Sequence, residues 1–234
     1  MTDKSAASPR PLRIGFLGGT FDPVHFGHLR MAYEVRERLG LDRMHLVPCA
    51  SPYHRGEPAS PAPVRVGLLR AALEGQSALV CDERDLSRPG PTYSIDTLAS
   101  LRDEFGDAPC LVMVLGQDAY RHLESWHRWQ TLLDLGHLVV VQRPGSVQAP
   151  PPGLARWEQA HQAPSIEALL ATNHGHVLHL EARLLEISST DIRAQVAAGR
   201  SPRYLLPAAV EQRILELGLY TPNPPEAPRR SHEQ

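Results

Sequence analysis

The sequence predicts an α/β fold, a doubly wound parallel sheet with helices on both faces. Three observations carry that prediction. Short apolar runs alternate with helical patterns along most of the chain. The most apolar run, CLVMVLG (110 to 116), lacks the in-out alternation of a half-exposed strand, as expected for a central parallel strand covered on both sides. A glycine-rich loop follows the first apolar run and opens a helix, the place where such sheets bind ligands beyond the carboxyl ends of their strands.

Taken in order, LRIGFL (12 to 17) is a short apolar run that stops at Gly18-Gly19 and suits a buried first strand. From Gly27 to Leu39 the residues Leu29, Ala32, Val35 and Leu39 fall on one helical face, and Gly40 supplies the stop. MHLVP (44 to 48) completes a β-loop-α-β unit, whose crossover favours parallel pairing. A Pro-rich loop (48 to 63) leads to a helix from Val64 to Leu73, a strand at ALVC (78 to 81) and a helix from Ser94 to Phe105 bearing Ile95, Leu98 and Leu101. After the central strand, HLVVVQRPG (137 to 145) and HVLHLEA (176 to 182) read as further strands. Between them, Pro150 to Pro152 break any element and APSIEALLA gives a short helix. ISSTDIRAQVAAG (187 to 199) has helix-start chemistry, Ser188 followed three residues later by Asp191, and closes at Gly199. Pro207 begins a terminal helix through Leu217.

The 234 residues are long enough for a substantial core and suit one domain, residues 12–220, after a flexible leader, 1–11. The tail, 221–234, is too poor in apolar residues to pack and is expected to be disordered. A formal net charge of -2 argues against sequence-independent nucleic-acid binding, so any anion must be held by local donors. Cys49, Cys81 and Cys110 form no CxxC pair, which fits a reducing compartment rather than a disulfide framework. The N-terminus has no secretory apolar core and no run approaches the roughly 20 apolar residues of a membrane span. The expected location is the cytoplasm, with no membrane partner; a homo-oligomer is left open.

The loop and its flanks read GFLGGTFDPVHFGHLR (15 to 30). Gly18 and Gly19 remove side chains where backbone would approach a ligand, and Gly27 does so at a helix start, where free N–H groups favour phosphate. The loop matches neither GxxxxGK[ST] nor GxGxxG. In place of the lysine stand His25 and His28, whose spacing can present N–H donors to phosphate oxygens from one side. Alone, an HxxH is more often a cap, a core pair or half a metal site; the glycines, the TFDP turn and the place after the first strand reverse that preference. The histidines of HGH (174 to 176) lack such a context and read as surface or strand residues.

GGTFDPVHFGHL resembles the (T/H)xGH signature of the adenylyl- and cytidylyltransferase superfamily, and in its full form the bacterial nicotinate-nucleotide adenylyltransferases. PYHR (52 to 55), TYSIDTL (92 to 98), GQDAYRHLESW (116 to 126) and ISSTDIR (187 to 193) resemble further motifs of that family, in its order. The resemblance implies a Rossmann-like sheet of nucleotidyltransferase type and transfer of AMP from ATP to nicotinate mononucleotide, giving deamido-NAD and pyrophosphate. Such chemistry needs alignment and charge stabilisation rather than a protein nucleophile.

By the same resemblance, His25, His28, Arg55 and Arg193 carry catalysis. ATP lies along Gly18, Gly19, Thr20, Phe21 and Gly27, with Gly116, Asp118, Ser188, Ser189 and Thr190 completing its site. His54, Tyr93, Ser94 and Trp126 face the acceptor, the indole as a stacking surface and the helix start at Ser94 as a carboxylate site. Two departures stand out: Tyr53 where a second proline is usual, and Ser94 where threonine is usual. Mg²⁺ is expected through the ATP phosphates rather than a dedicated ligand set, Asp22 being a weak candidate ligand. The alternatives are a sibling transferase using nicotinamide mononucleotide, pantetheine phosphate or a cytidylyl group, and a non-catalytic nucleotide-binding protein.

Overall fold

The computed structural model describes residues 10–50, 57–145 and 149–222. Most of the expected leader and tail, and the PYHR segment with Tyr53, His54 and Arg55, lie outside them. Six parallel strands, β1 (Arg13–Gly19), β2 (Arg43–Pro48), β3 (Leu79–Cys81), β4 (Cys110–Gly116), β5 (His137–Gln142) and β6 (Val177–Glu181), form one sheet in the order β3-β2-β1-β4-β5-β6. The chain winds outward from β1 to β3 and then returns to place β4 beside β1. Loops leaving those two strands diverge to opposite faces, which opens a crevice at their carboxyl ends.

Alternate residues of the central strand serve two cores. Val112 and Val114 face α1 (Phe26–Leu39), α2 (Ala62–Ala72), α6 (Ile166–Leu170), α7 (Ser189–Ala197) and α8 (Ala208–Glu216), whereas Leu111, Met113 and Leu115 face α3 (Ser94–Phe105), α4 (Gln117–Arg121) and α5 (Pro152–His161). The full burial of β4 from Cys110 to Leu115 explains its uninterrupted apolar sequence.

Most elements fall where the apolar patterns put them, and the departures have local reasons. Strand β1 runs through Gly18-Gly19 instead of stopping there, because both residues continue the pairing with β2. Pro152 opens α5 instead of breaking it, since a proline in the first turn of a helix gives up an N–H that has no partner there anyway. Helix α4 begins at Gln117, so Asp118 lies in its first turn. The stretch from Leu123 to Asp134, unassigned by periodicity, is two 3-10 turns, Leu123–Ser125 and Trp129–Asp134.

Candidate active site

The carboxyl end of β1 leads through Thr20 to Val24 into α1, and four of those five residues are buried. Phe21 adopts a left-handed backbone (φ 50°) and sends its ring into the core. The glycines around it divide into two kinds. A Cβ on Gly19 would lie 2.9 Å from the Phe21 ring, so this glycine makes room for the protein's own side chain; nothing lies within 4 Å of a Cβ placed on Gly18, which is open to a ligand.

Gly27 belongs with Gly19. A Cβ there would lie 2.9 Å from Cε1 and Nδ1 of His25 and 3.4 Å from the Ile187 carbonyl oxygen. The expected approach of backbone to ligand at this position gives way to the approach of an imidazole to a helix start. His25 occupies the N-cap position of α1 in extended backbone conformation, and its ring folds over Gly27 to stack on His28, centroids 3.8 Å apart and planes 24° from parallel. The edge of Phe21 holds the other ring at 5.0 Å. His25 is 4 % exposed, its Nδ1 has no hydrogen-bond partner, and burial lowers its pKa to about 4, so it is a neutral imidazole at neutral pH. His28 is half-buried and the more accessible of the pair.

Helix α7 closes on this loop from the far end of the sequence. The Ser189 hydroxyl donates to the Pro23 carbonyl (2.9 Å), and Arg193 donates to the Asp22 carbonyl (2.7 Å) and lies 3.4 Å from Thr190 Oγ1. Ser188 caps α7 by accepting from the Asp191 N–H (3.0 Å), so the ISSTDIR segment is a capped helix start seated on the histidine loop. Thr190 stays exposed and Arg193 half-exposed, leaving a hydroxyl and guanidinium edge toward solvent.

Asp22, the candidate metal ligand, has another occupation. Its carboxylate is 2 % exposed and accepts from the Tyr220 hydroxyl (2.7 Å) and the Ser60 N–H (3.2 Å). Among the described residues no group of three or more His, Cys, Asp and Glu side chains is placed to hold a metal ion. A divalent ion therefore has no ready-made cage of protein ligands there.

On the opposite face, two of the acceptor candidates, Tyr93 and Ser94, lie at the start of α3. Tyr93 is its N-cap residue and Ser94 its first residue. The Tyr93 ring packs at 4.4 Å from His127, the neighbour of Trp126, and both Tyr93 and Trp126 rest partly buried on the second core. Gly116 ends β4, and the exposed Asp118 follows at the mouth of the crevice.

Two structural residues of this site escape sequence reasoning. Arg65, 1 % exposed, donates to the carbonyls of Thr20 (2.8 Å), Cys49 (2.8 Å), Ala50 (3.3 Å) and Ser60 (3.1 Å), tying the loop after β1 to both ends of the loop between β2 and α2. An arginine in an amphipathic helix reads as a surface residue, and nothing in α2 marks it otherwise. Tyr220, near the end of the described chain, carries no signal either, since its partner lies 198 residues away. His127 could have been found as the neighbour of Trp126.

The sequence profile of the cytidylyltransferase-like family matches residues 16–195. A probable nicotinate-nucleotide adenylyltransferase of Chromohalobacter salexigens is 46% identical over 216 residues, 92% of this chain and 99% of the relative. Another, from Marinobacter nauticus, is 45% identical over 89% of this chain and 97% of its own length. Among solved structures, the Plasmodium falciparum nicotinic acid mononucleotide adenylyltransferase complexed with NaAD shares the fold, with a TM-score of 0.67 over 89% of this chain and 97% of that chain at 15% identity. With the histidine loop, the docked ISSTDIR helix and near-complete coverage of such relatives, the chain belongs to the nicotinate-nucleotide adenylyltransferases of the cytidylyltransferase-like family.

Proposed function

We propose that this protein transfers AMP from ATP to nicotinate mononucleotide, forming deamido-NAD and pyrophosphate in NAD biosynthesis. An oxygen of the acceptor phosphate attacks the α-phosphorus of ATP, and the bond to the bridging oxygen of the β-phosphate breaks as pyrophosphate leaves. The observation that carries this reading is the seating of the ISSTDIR helix on the GGTFDPVHFGH loop through Ser189 and Arg193. That contact unites the His28 imidazole, backed by His25, with a guanidinium and a helix N-terminus, donors suited to charge developing on a transferring phosphoryl group.

In this reading the ATP phosphates run past Gly18 toward His28, Thr190 and the free edge of Arg193. His25 supports His28 from behind as a neutral ring, and Arg55 supplies a further cation. Ser188 and Ser189 shape the helix start, and Gly116 and Asp118 meet the ribose side of the nucleotide. The acceptor stacks its pyridine ring on Trp126, with its carboxylate at the first N–H groups of α3 beside Tyr93 and Ser94 and with His54 at its phosphate. Mg²⁺ arrives on the ATP as part of the substrate, held largely by the nucleotide phosphates. The activity is placed in the cytoplasm, where ATP is made available.

The test is an acceptor panel. With Mg-ATP and equal concentrations of nicotinate mononucleotide, nicotinamide mononucleotide and pantetheine phosphate, pyrophosphate release is expected to be fastest with the first. Equal or faster turnover with the amide refutes the acid-specific assignment.

A further inference from the structure

A buried carboxylate beside a phosphate-binding loop needs a reason. Asp22 sits three residues before His25, and a negative charge there opposes the anions the loop is shaped to receive. It is also poorly solvated, at 2 % exposure, and such a charge persists only when its oxygens are hydrogen-bonded. Two donors satisfy it, and they come from distant parts of the chain: the Ser60 N–H at 3.2 Å and the Tyr220 hydroxyl at 2.7 Å. The backbone of the same residue accepts from Arg193, and that of the next accepts from Ser189. The loop is therefore gripped at consecutive residues, twice by α7 and once by the chain that follows α8.

The grip by α7 uses residues of the ISSTDIR motif. The grip by Tyr220 belongs to no motif. Tyr220 holds a left-handed backbone (φ 62°), an uncommon conformation for an aromatic residue, and that geometry turns its hydroxyl back to Asp22. Burial and the facing carboxylate push its phenol pKa upward, so it remains a donor across the working pH range.

Resting on the adenylyltransferase reading above, we infer that Tyr220 is a positioning residue for the transfer reaction: by neutralising the hydrogen-bonding demand of Asp22 it fixes the loop that aligns His25 and His28. It touches no substrate. Its effect travels through Asp22 and the loop backbone to the imidazole pair. Removing the hydroxyl leaves a buried carboxylate oxygen unsatisfied, and the loop relieves this by turning Asp22 toward solvent, which displaces His25.

A double-mutant cycle tests the inference, with kcat, both KM values and the His25 imidazole NMR resonances as readouts. Tyr220→Phe is expected to lower kcat about tenfold, leave the acceptor KM within about twofold and shift the His25 resonances. Asp22→Ala removes the acceptor that needs the hydroxyl, so adding Tyr220→Phe to it is expected to cost no further kcat. Should Tyr220→Phe alone not accumulate as folded protein, the comparison within the Asp22→Ala background stands by itself. Wild-type kcat in Tyr220→Phe, or a further tenfold loss in the double variant, overturns the inference. A wild-type protein without turnover on any acceptor instead overturns the adenylyltransferase reading.

Discussion

Replacing Gly27 by alanine separates two explanations of the same glycine. If Gly27 only admits a ligand, an added methyl weakens ATP binding; if it admits the His25 ring, the methyl disturbs the imidazole pair before any substrate arrives. The geometry favours the second. The new Cβ would sit 2.9 Å from two atoms of the His25 ring, against about 3.5–4.0 Å for an ordinary contact, so the ring must move by roughly half an ångström to one. The Ile187 carbonyl, 3.4 Å away on another side, limits how far the start of α1 can retreat.

For stability the terms nearly cancel. Alanine favours a helix by about 1 kcal/mol, while overpacking a tight site costs about 1–3 kcal/mol, leaving a net loss of roughly 0–2 kcal/mol. At about 2–4 °C per kcal/mol for a chain of this size, Tm falls by no more than about 8 °C. For catalysis nothing cancels, because a misplacement approaching 1 Å costs on the order of a hundredfold. The expected result is kcat for pyrophosphate release, with both substrates saturating, reduced about ten- to a hundredfold in a folded protein. A kcat within twofold of wild type refutes the reasoning, and a normal kcat with a raised ATP KM reinstates the ligand-clearance explanation.

Three further outcomes are expected. Trp126→Ala should raise the acceptor KM about tenfold, equivalent to about 1.4 kcal/mol of lost stacking, and leave the ATP KM unchanged in initial-rate measurements; an unchanged acceptor KM makes the indole purely structural. Arg65→Met strips partners from the carbonyls of Thr20, Cys49, Ala50 and Ser60 and should cost about 3 kcal/mol or more, seen by calorimetry as a Tm lower by roughly 6–12 °C; an unchanged Tm dismisses the guanidinium as a loop clamp. Burial holds both His25 and His137 at about 4 in the folded protein, below the usual 6.5. The unfolded chain therefore binds protons first as pH falls, and stability is full above about 6.5 and lost progressively toward 4, by up to about 1.4 kcal/mol per pH unit for each group. Denaturant titrations at pH 7 and pH 5 read this loss. In His137→Asn the slope should be shallower, and an identical slope contradicts the assignment.

What the sequence made legible follows from range. Strands and helices arise from apolar spacing over a dozen residues, which is why Ser94–Phe105 and Cys110–Gly116 appear in the structure with the bounds their patterns predict. The approach of ISSTDIR to the glycine loop was legible only through resemblance, since no local rule brings residue 189 to residue 23. The use made of each glycine was not legible at all: Gly18, Gly19 and Gly27 look alike in sequence, and only the placement of the Phe21 and His25 rings tells the open one from the filled ones. Arg65 escaped for a related reason, because a charged residue reads as solvent-facing until carbonyls from elsewhere are found around it, and Asp22, read as a weak candidate metal ligand, showed nothing of its Ser60 and Tyr220 partners.

Three of the contacts that hold the histidine loop, Ser189 to Pro23, Arg193 to Asp22 and Tyr220 to Asp22, span 166, 171 and 198 residues. Closing such long loops is an entropic cost met only once both ends exist. During synthesis the loop is made well before the residues that grip it from α7 and Tyr220. The nascent chain therefore emerges with the histidine loop not yet held from those two sides, and the fully gripped loop marks a chain that has been translated through Tyr220.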